Sequence, residues 1–176
     1  HVGSESGQSR GDALKKVLDG ISHTLTVAYA AAYDDLIICP ETMGKMGQIG
    51  SVDEILEICR MDKMLYPCFD FGHINAREGG SLKTEDDFKR IVDKCFDALG
   101  EEKTVNMHVH FSKIQYGDKG EIRHVNFDDM LWGPDFEPFA KVILDLKLSP
   151  YILCESRGKQ AEDAKLMKDY YLSLVR

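Results

Sequence analysis

Residues Leu36–Glu41 read LIICPE, a short run of branched and apolar side chains that ends on a carboxylate. A run this short and this apolar predicts a strand covered on both faces, since a helix packed on one side shows a polar stripe instead. Tyr66–Phe71 (YPCFDF) and Tyr151–Glu155 (YILCE) read as further strands of this kind, and Thr104–Ser112 (TVNMHVHFS) alternates like a strand. Between them lie helical patterns. Leu14, Val17, Leu18, Ile21, Leu25 and Ala28 recur at three- and four-residue steps and predict a helix from Asp12 to about Ala32, with His23 as a surface or cap histidine. Ser51 and Glu54 form a capping-box pair ahead of Ile55, Leu56 and Ile58. Thr84–Leu99 reads as a helix that Gly100 ends, and Phe136–Leu146 and Gln160–Val175 read as two more. Gln115–Trp132 reads as a long polar connection, a kind of loop that usually carries function.

Strands and helices in strict alternation predict parallel βα units. No G-x-G-x-x-G follows any strand, which removes the signature of a dinucleotide-binding sheet. A barrel needs eight units and about 250 residues. The four units here predict an α/β chain that forms, over residues 1–176, a single domain equal to half of a (β/α)8 TIM barrel. Half a barrel leaves strand edges and an inner face open to association, and the sequence leaves the oligomeric state open.

Composition narrows the function classes. Hydrophobic residues make up 43% and charged residues 30% of the chain, the balance of a globular protein with a core. The apolar runs are too short to span a bilayer and no basic-apolar leader opens the text, so the expected location is cytoplasmic with no membrane partner. Five scattered cysteines without a C-x-x-C pair predict reduced, buried thiols, neither a disulfide framework nor a thiolate zinc site. A formal charge of -8 repels polyanions overall, so any nucleic-acid surface must be local.

Each strand delivers polar residues at its C-terminal end: Glu41, then Asp70 with His73, then His108 with His110, then Glu155. In a parallel αβ barrel that rim carries the active site. Residues two apart share a strand face, so Ile37, Cys39 and Glu41 form one column and Tyr66, Cys68 and Asp70 another. Carboxylates crowded on one inner face repel each other, and a divalent cation removes the conflict; mixed carboxylate and imidazole donors suit Zn or Mn. Lys113 and Arg123 lie beside these ligands and are candidates for phosphate contacts, with solvated surface bases as the alternative. Gly44, Gly47 and Gly50 after Glu41 would let a bulky substrate approach the backbone.

At these residues the chain resembles the endonuclease IV family, metal-dependent phosphodiesterases that cut DNA at abasic sites with a trinuclear zinc centre in a (β/α)8 barrel. His1-Val2-Gly3-Ser4 resembles the family's H-P-G-S, and Glu41 in PETMGKMGQIG stands at its bridging glutamate. Asp70-Phe71-Gly72-His73 resembles D-T-C-H, His108 through Lys113 resembles H-x-N-D-S-K with His110 in place of the asparagine, Arg123-His124 fits D-R-H, and Glu155 fits the last-strand glutamate. The resemblance runs from the end of the fourth strand through the last helix. It implies two or three zinc ions on His1, Glu41, Asp70, His73, His108, His124 and Glu155, with Glu41 as the catalytic bridging carboxylate and Lys113, Arg123 and His110 as phosphate or substrate contacts. Where the family has an acid directly before the Arg-His pair, this chain has Ile122, and Glu121, one residue further back, is the stand-in ligand whose reach the sequence leaves open. The same superfamily includes isomerases and epimerases resembling xylose isomerase, whose ligands fit Glu41, Asp70, His108 and Glu155 equally. A small sugar is therefore the alternative partner to abasic DNA, and an inactive metal-binding barrel is a third reading.

Overall fold

The computed structural model describes residues 1–33 and 35–175. Three parallel strands, β3 (Cys68–Asp70), β4 (His108–Phe111) and β7 (Tyr151–Cys154), form a sheet in the order β3-β4-β7. Asp70 stands opposite His110, and Phe111 opposite Cys154. The LIICPE stretch pairs in parallel with the outer edge of β3, through Ile38 opposite Leu65 and Glu41 opposite Cys68. Its backbone bonds run Ile38 to Met64, Tyr66 to Ile38, Cys68 to Pro40 and Thr42 to Cys68. It forms two isolated bridges instead of a continuous strand because Pro40, lacking an N–H, breaks the ladder at its middle.

Helices α1 (Arg10–Ala30), α2 (Val52–Cys59), α4 (Glu85–Val105), α5 (Phe136–Asp145) and α6 (Gln160–Leu174) supply the apolar stripes that cover the outer face of these strands. Phe69, Val109 and Phe111 point outward into that layer and are fully buried. Phe71, Phe88, Phe111 and Phe139 interlock there, the Phe71 and Phe139 rings 4.4 Å apart and the Phe71 and Phe88 rings 5.1 Å apart in an edge-on contact. The inner face is open: Ile37 is 63% exposed, Tyr151 67% and Leu153 43%. The structure is thus mixed α/β with the strand-helix alternation of a TIM barrel.

Three details depart from the sequence pattern. Phe71 does not extend β3 but opens a short helix, α3 (Phe71–Arg77), because the Asp70 carboxylate accepts the N–H of His73 and caps it. Gly100 does break α4, at φ 78°, yet the chain resumes a helical course through Val105, so Thr104 and Val105 belong to a helix and not to the next strand. The polar connection after Ser112 begins with an antiparallel hairpin, β5 (Lys113–Gly117) and β6 (Gly120–Val125). Near the N-terminus β1 (Gly3–Ser4) pairs with β2 (Gln48–Ile49). All five cysteines are free thiols, Cys59, Cys68 and Cys95 buried, and His23 lies exposed on α1. Among the described residues no helix is long and apolar enough to cross a membrane.

Glu54 ties α1 to α2. Its carboxylate accepts the guanidinium of Arg10 at 2.6 and 2.7 Å and the N–H groups of Gly50 and Ser51 at 2.8 Å. Burial alone would raise the Glu54 carboxyl, but these donors outweigh it and hold it at about 2, below its ordinary 4.5. A depressed carboxylate stabilises the fold above its unfolded pKa, and that contribution is lost as pH falls from 4.5 toward about 2. Glu54→Gln should therefore lower stability by about 2 kcal/mol at neutral pH. Urea denaturation at pH 7 and again near the acid limit should show the gap from wild type narrowing with acid; a gap that stays constant would rule out the ionised carboxylate as its source.

Candidate metal centre

The register of the sheet builds the first group of side chains. Cys68 and Asp70 on β3 share the inner face with His108 and His110 on β4, so Asp70 and His110 meet as neighbours at the rim. Glu41 arrives beside them because its backbone pairs with Cys68, and Glu155 because its N–H reaches the Phe111 carbonyl just past β7. Donor atoms of Glu41, Asp70, His110 and Glu155 all lie within 4.8 Å of one another. His110 Nδ1 is 3.1 Å from a Glu41 oxygen and 3.2 Å from a Glu155 oxygen. Burial pushes Glu41 upward, but His110 and then His73 outweigh it and hold the carboxyl at about 2. Asp70 is wholly buried, and burial raises its carboxyl against the opposing charge of His73.

One oxygen of Asp70 exposes the need of this group. Oδ1 caps α3, while Oδ2 is buried without a hydrogen-bond partner, 3.4 Å from His73 Nδ1. An acceptor in that state costs about 1–3 kcal/mol. The donor set is oxygen and imidazole nitrogen, and a divalent cation coordinated by Oδ2 and its neighbours would remove the deficit. The residues therefore fit a metal.

A second group, His73, Glu121 and His124, adjoins the first. His73 donates from Nδ1 to the Thr42 carbonyl at 2.9 Å, which leaves Nε2 facing Glu121 at 3.5 Å. His124 pairs Nδ1 with the Ser112 hydroxyl at 2.8 Å and turns Nε2 toward Glu121 at 3.9 Å. Burial lowers the His73 imidazole, but Asp70, Glu41 and Glu121 together lift it to about 9. Pinning one ring nitrogen so that the other points into a shared space is how imidazole ligands are oriented toward metals.

Glu121 reaches this group through a β-bulge. The hairpin register pairs Gln115 with Arg123 and Tyr116 with Glu121, so Ile122 has no partner and stands 56% exposed. In a regular strand Glu121 and His124 would point to opposite faces; the extra residue brings them to the same one. Gly44 makes the space, since a side chain there would meet Glu121 Cβ at 2.6 Å and His73 Cδ2 at 3.0 Å. Gly44 thus admits a protein side chain and not a substrate, unlike the sequence expectation. The loop carrying it is held by two guanidiniums: Arg77 donates to the carbonyls of Met43, Lys45, Met46 and Gln48, and Arg10 to those of Met46 and Gln48. The sequence offers no sign of that grip, because both arginines lie on helices with nothing local to mark them.

The other predicted residues fall as follows. His1 approaches Glu41 at 3.6 Å from an exposed position. His108 stacks on Tyr151 at 5.4 Å, and its donors group with Cys68 and His110 instead of the carboxylates. Burial, then Glu41 and Asp70, push the Cys68 thiol up. Lys113 turns away, donating at 2.8 Å to the Asp129 carbonyl and lying 2.9 Å from Asp135; it is buried structure, neither a surface base nor directed at the cluster. Arg123 is exposed and donates to the Gln115 side chain.

Residues 1–170 match the family described as xylose isomerase-like TIM barrel, and the chain belongs to it. An uncharacterized protein of Methanocaldococcus jannaschii is 35% identical over 136 residues, covering 77% of this chain and 49% of the relative. A probable endonuclease 4 of Staphylococcus carnosus is 26% identical over 171 residues, covering 91% of this chain and 55% of the relative. The chain thus spans about half the length of the curated relatives it matches.

Gly44→Ala should shift the ring resonances of His73 and His124 and destabilise the fold by about 1–3 kcal/mol. Gly47→Ala, with nothing within 4 Å of the added carbon, should leave both unchanged. Imidazole NMR spectra of the two variants check this, and identical spectra would mean that the loop simply yields to the methyl group.

Proposed function

We propose that this chain carries most of the metal centre of an endonuclease IV-like phosphodiesterase acting at abasic sites in DNA. The observation that carries the reading is the adjacency of two ligand groups through His73, which lies 3.4 Å from Asp70 and 3.5 Å from both Glu41 and Glu121. A site that holds a single ion has no use for the second group. The similarity to the probable endonuclease 4 of Staphylococcus carnosus supports the same reading.

On this reading Glu41, Asp70, His110 and Glu155 hold one part of the centre, His73, Glu121 and His124 the other, and His1 approaches from the open side. Zinc is the first expectation and manganese the alternative, given mixed oxygen and nitrogen donors. Bound divalent ions supply positive charge for the phosphate oxygens in the transition state. Glu41, ionised and in reach of His1, His73 and His110, joins the two groups and orients what binds between them. An abasic nucleotide would have to leave the helix to reach the rim. Loops from the remaining length of the protein would shape the rest of the DNA surface.

A second reading has its own observation. Glu41, Asp70, His110 and Glu155 by themselves form a complete four-donor set, all that a sugar isomerase of the same family needs.

Full-length protein should take up at least two divalent ions per chain, and Glu41→Gln or Glu155→Gln should lower that number by elemental analysis. Incubation with a duplex bearing one abasic analogue, and separately with a panel of ketoses, distinguishes the enzymes. Incision abolished by Asp70→Asn and by His124→Ala is the expected result. Incision that survives His124→Ala removes the second group from the mechanism, ketose conversion without incision selects the isomerase, and metal uptake with neither activity selects a binding barrel.

A further inference from the structure

We propose that Arg157, which lines a cleft together with Arg123 beside the ligand groups, forms a phosphate subsite of its own. The inference rests on the metal-centre reading of the rim and adds a substrate class to it. The cleft, about 520 Å³ in volume, is lined by Arg123, His124, Cys154, Glu155, Arg157 and Gln160. A second cleft of about 350 Å³ shares Arg123, His124 and Arg157 and continues toward Asn126. One candidate ligand from each group, Glu155 and His124, therefore opens on a space that both arginines line.

The state of these arginines sets them apart. Arg10 and Arg90 are paired with carboxylates, and Arg60 and Arg77 donate to backbone carbonyls. Arg123 meets only the neutral amide of Gln115, and Arg157 is exposed without a hydrogen bond or ion pair among the described residues. Asp128 and Asp129 also line the second cleft but are engaged: Asp128 pairs with Lys159, and Asp129 accepts the N–H groups of Leu131 and Trp132. In a chain of net charge -8, two guanidiniums with no ion pair among the described residues, beside a candidate centre, are the positive groups that an anionic substrate needs. A guanidinium presents a planar fork that matches phosphate oxygens, so the ligand is a phosphate next to the reacting group: the neighbouring phosphodiester of a nucleic-acid strand, or the monoester of a sugar phosphate.

The test uses full-length protein in chelator, where binding is read without turnover. Anisotropy of a labelled duplex with one abasic analogue is followed across a salt titration for wild type, Arg157→Gln, Arg157→Lys and Lys89→Gln. Lys89 pairs with Asp93 on the outer helix α4 and controls for a loss of one charge. Arg157→Gln should weaken binding about fivefold and reduce the salt slope by about one, with partial recovery in Arg157→Lys and no change in Lys89→Gln. Competition by a ketose phosphate, but not by the neutral ketose, that disappears in Arg157→Gln would also support the subsite and assign it to the monoester. Equal slopes for Arg157→Gln and Lys89→Gln with no such competition overturn it. If wild type incises the duplex while Arg157→Gln binds it normally, the subsite fails alone; if the slope falls but no incision occurs, the nuclease reading fails alone.

Discussion

Two carboxylates, Glu41 and Asp70, are packed against each other on the inner face of a parallel sheet, and most of the rim is arranged around that conflict. Parallel pairing of Glu41 with Cys68 fixes how near the acids come, two residues along neighbouring strands. Like charges so placed and withdrawn from water would each be costly to ionise. His73 answers both at once, and it can do so only because Asp70 caps the helix that carries it. Removing that short helix would leave Glu41 with His110 alone as a close buried counter-charge. A proton on His73 and cations among the carboxylates are alternative ways of balancing the same negative charge, which is why a histidine lifted to about 9 sits where a ligand would be wanted.

How much of this could be read from the chain depends on whether a residue's surroundings are local in sequence. The strand runs LIICPE, YPCFDF and YILCE were readable because burial on both faces leaves an unbroken apolar signature, and the terminal acids stand out against it. Helix α3 was not readable, for a related reason: residues 71–76 are buried on every side, so FGHINA shows no amphipathic stripe, and its first residue, Phe71, reads as the end of the strand. The β5–β6 hairpin was hidden for a different reason: buried Lys113 and Ile114 stand side by side at the start of β5, so the run does not alternate, and the pattern is broken again by the bulge at Ile122.

The site itself divides along the same line. Glu41, Asp70 and Glu155 could be picked out from strand position alone, and the structure brings them together. Choosing between His108 and His110 could not be settled that way, since both share one face; what separates them is the partner opposite each, Asp70 beside His110 and Tyr151 beside His108. Gly44 and Arg77 act through contacts with β6 and with successive loop carbonyls, features that composition does not carry.

The place of the extra residue also has a physical logic. An insertion within β4 or β7 would reverse the facing of every side chain beyond it and turn either a ligand or a core phenylalanine to the wrong side. In the hairpin the same insertion is absorbed by one unpaired residue at the solvent surface, with pairing resumed at Arg123. The outcome is not neutral, because the bulge is what carries Glu121 to the side of His124. The acid that stands one residue away from where the sequence comparison expects it, Glu121 instead of the position before Arg123, is carried by the bulge to a place between two imidazoles, His73 and His124.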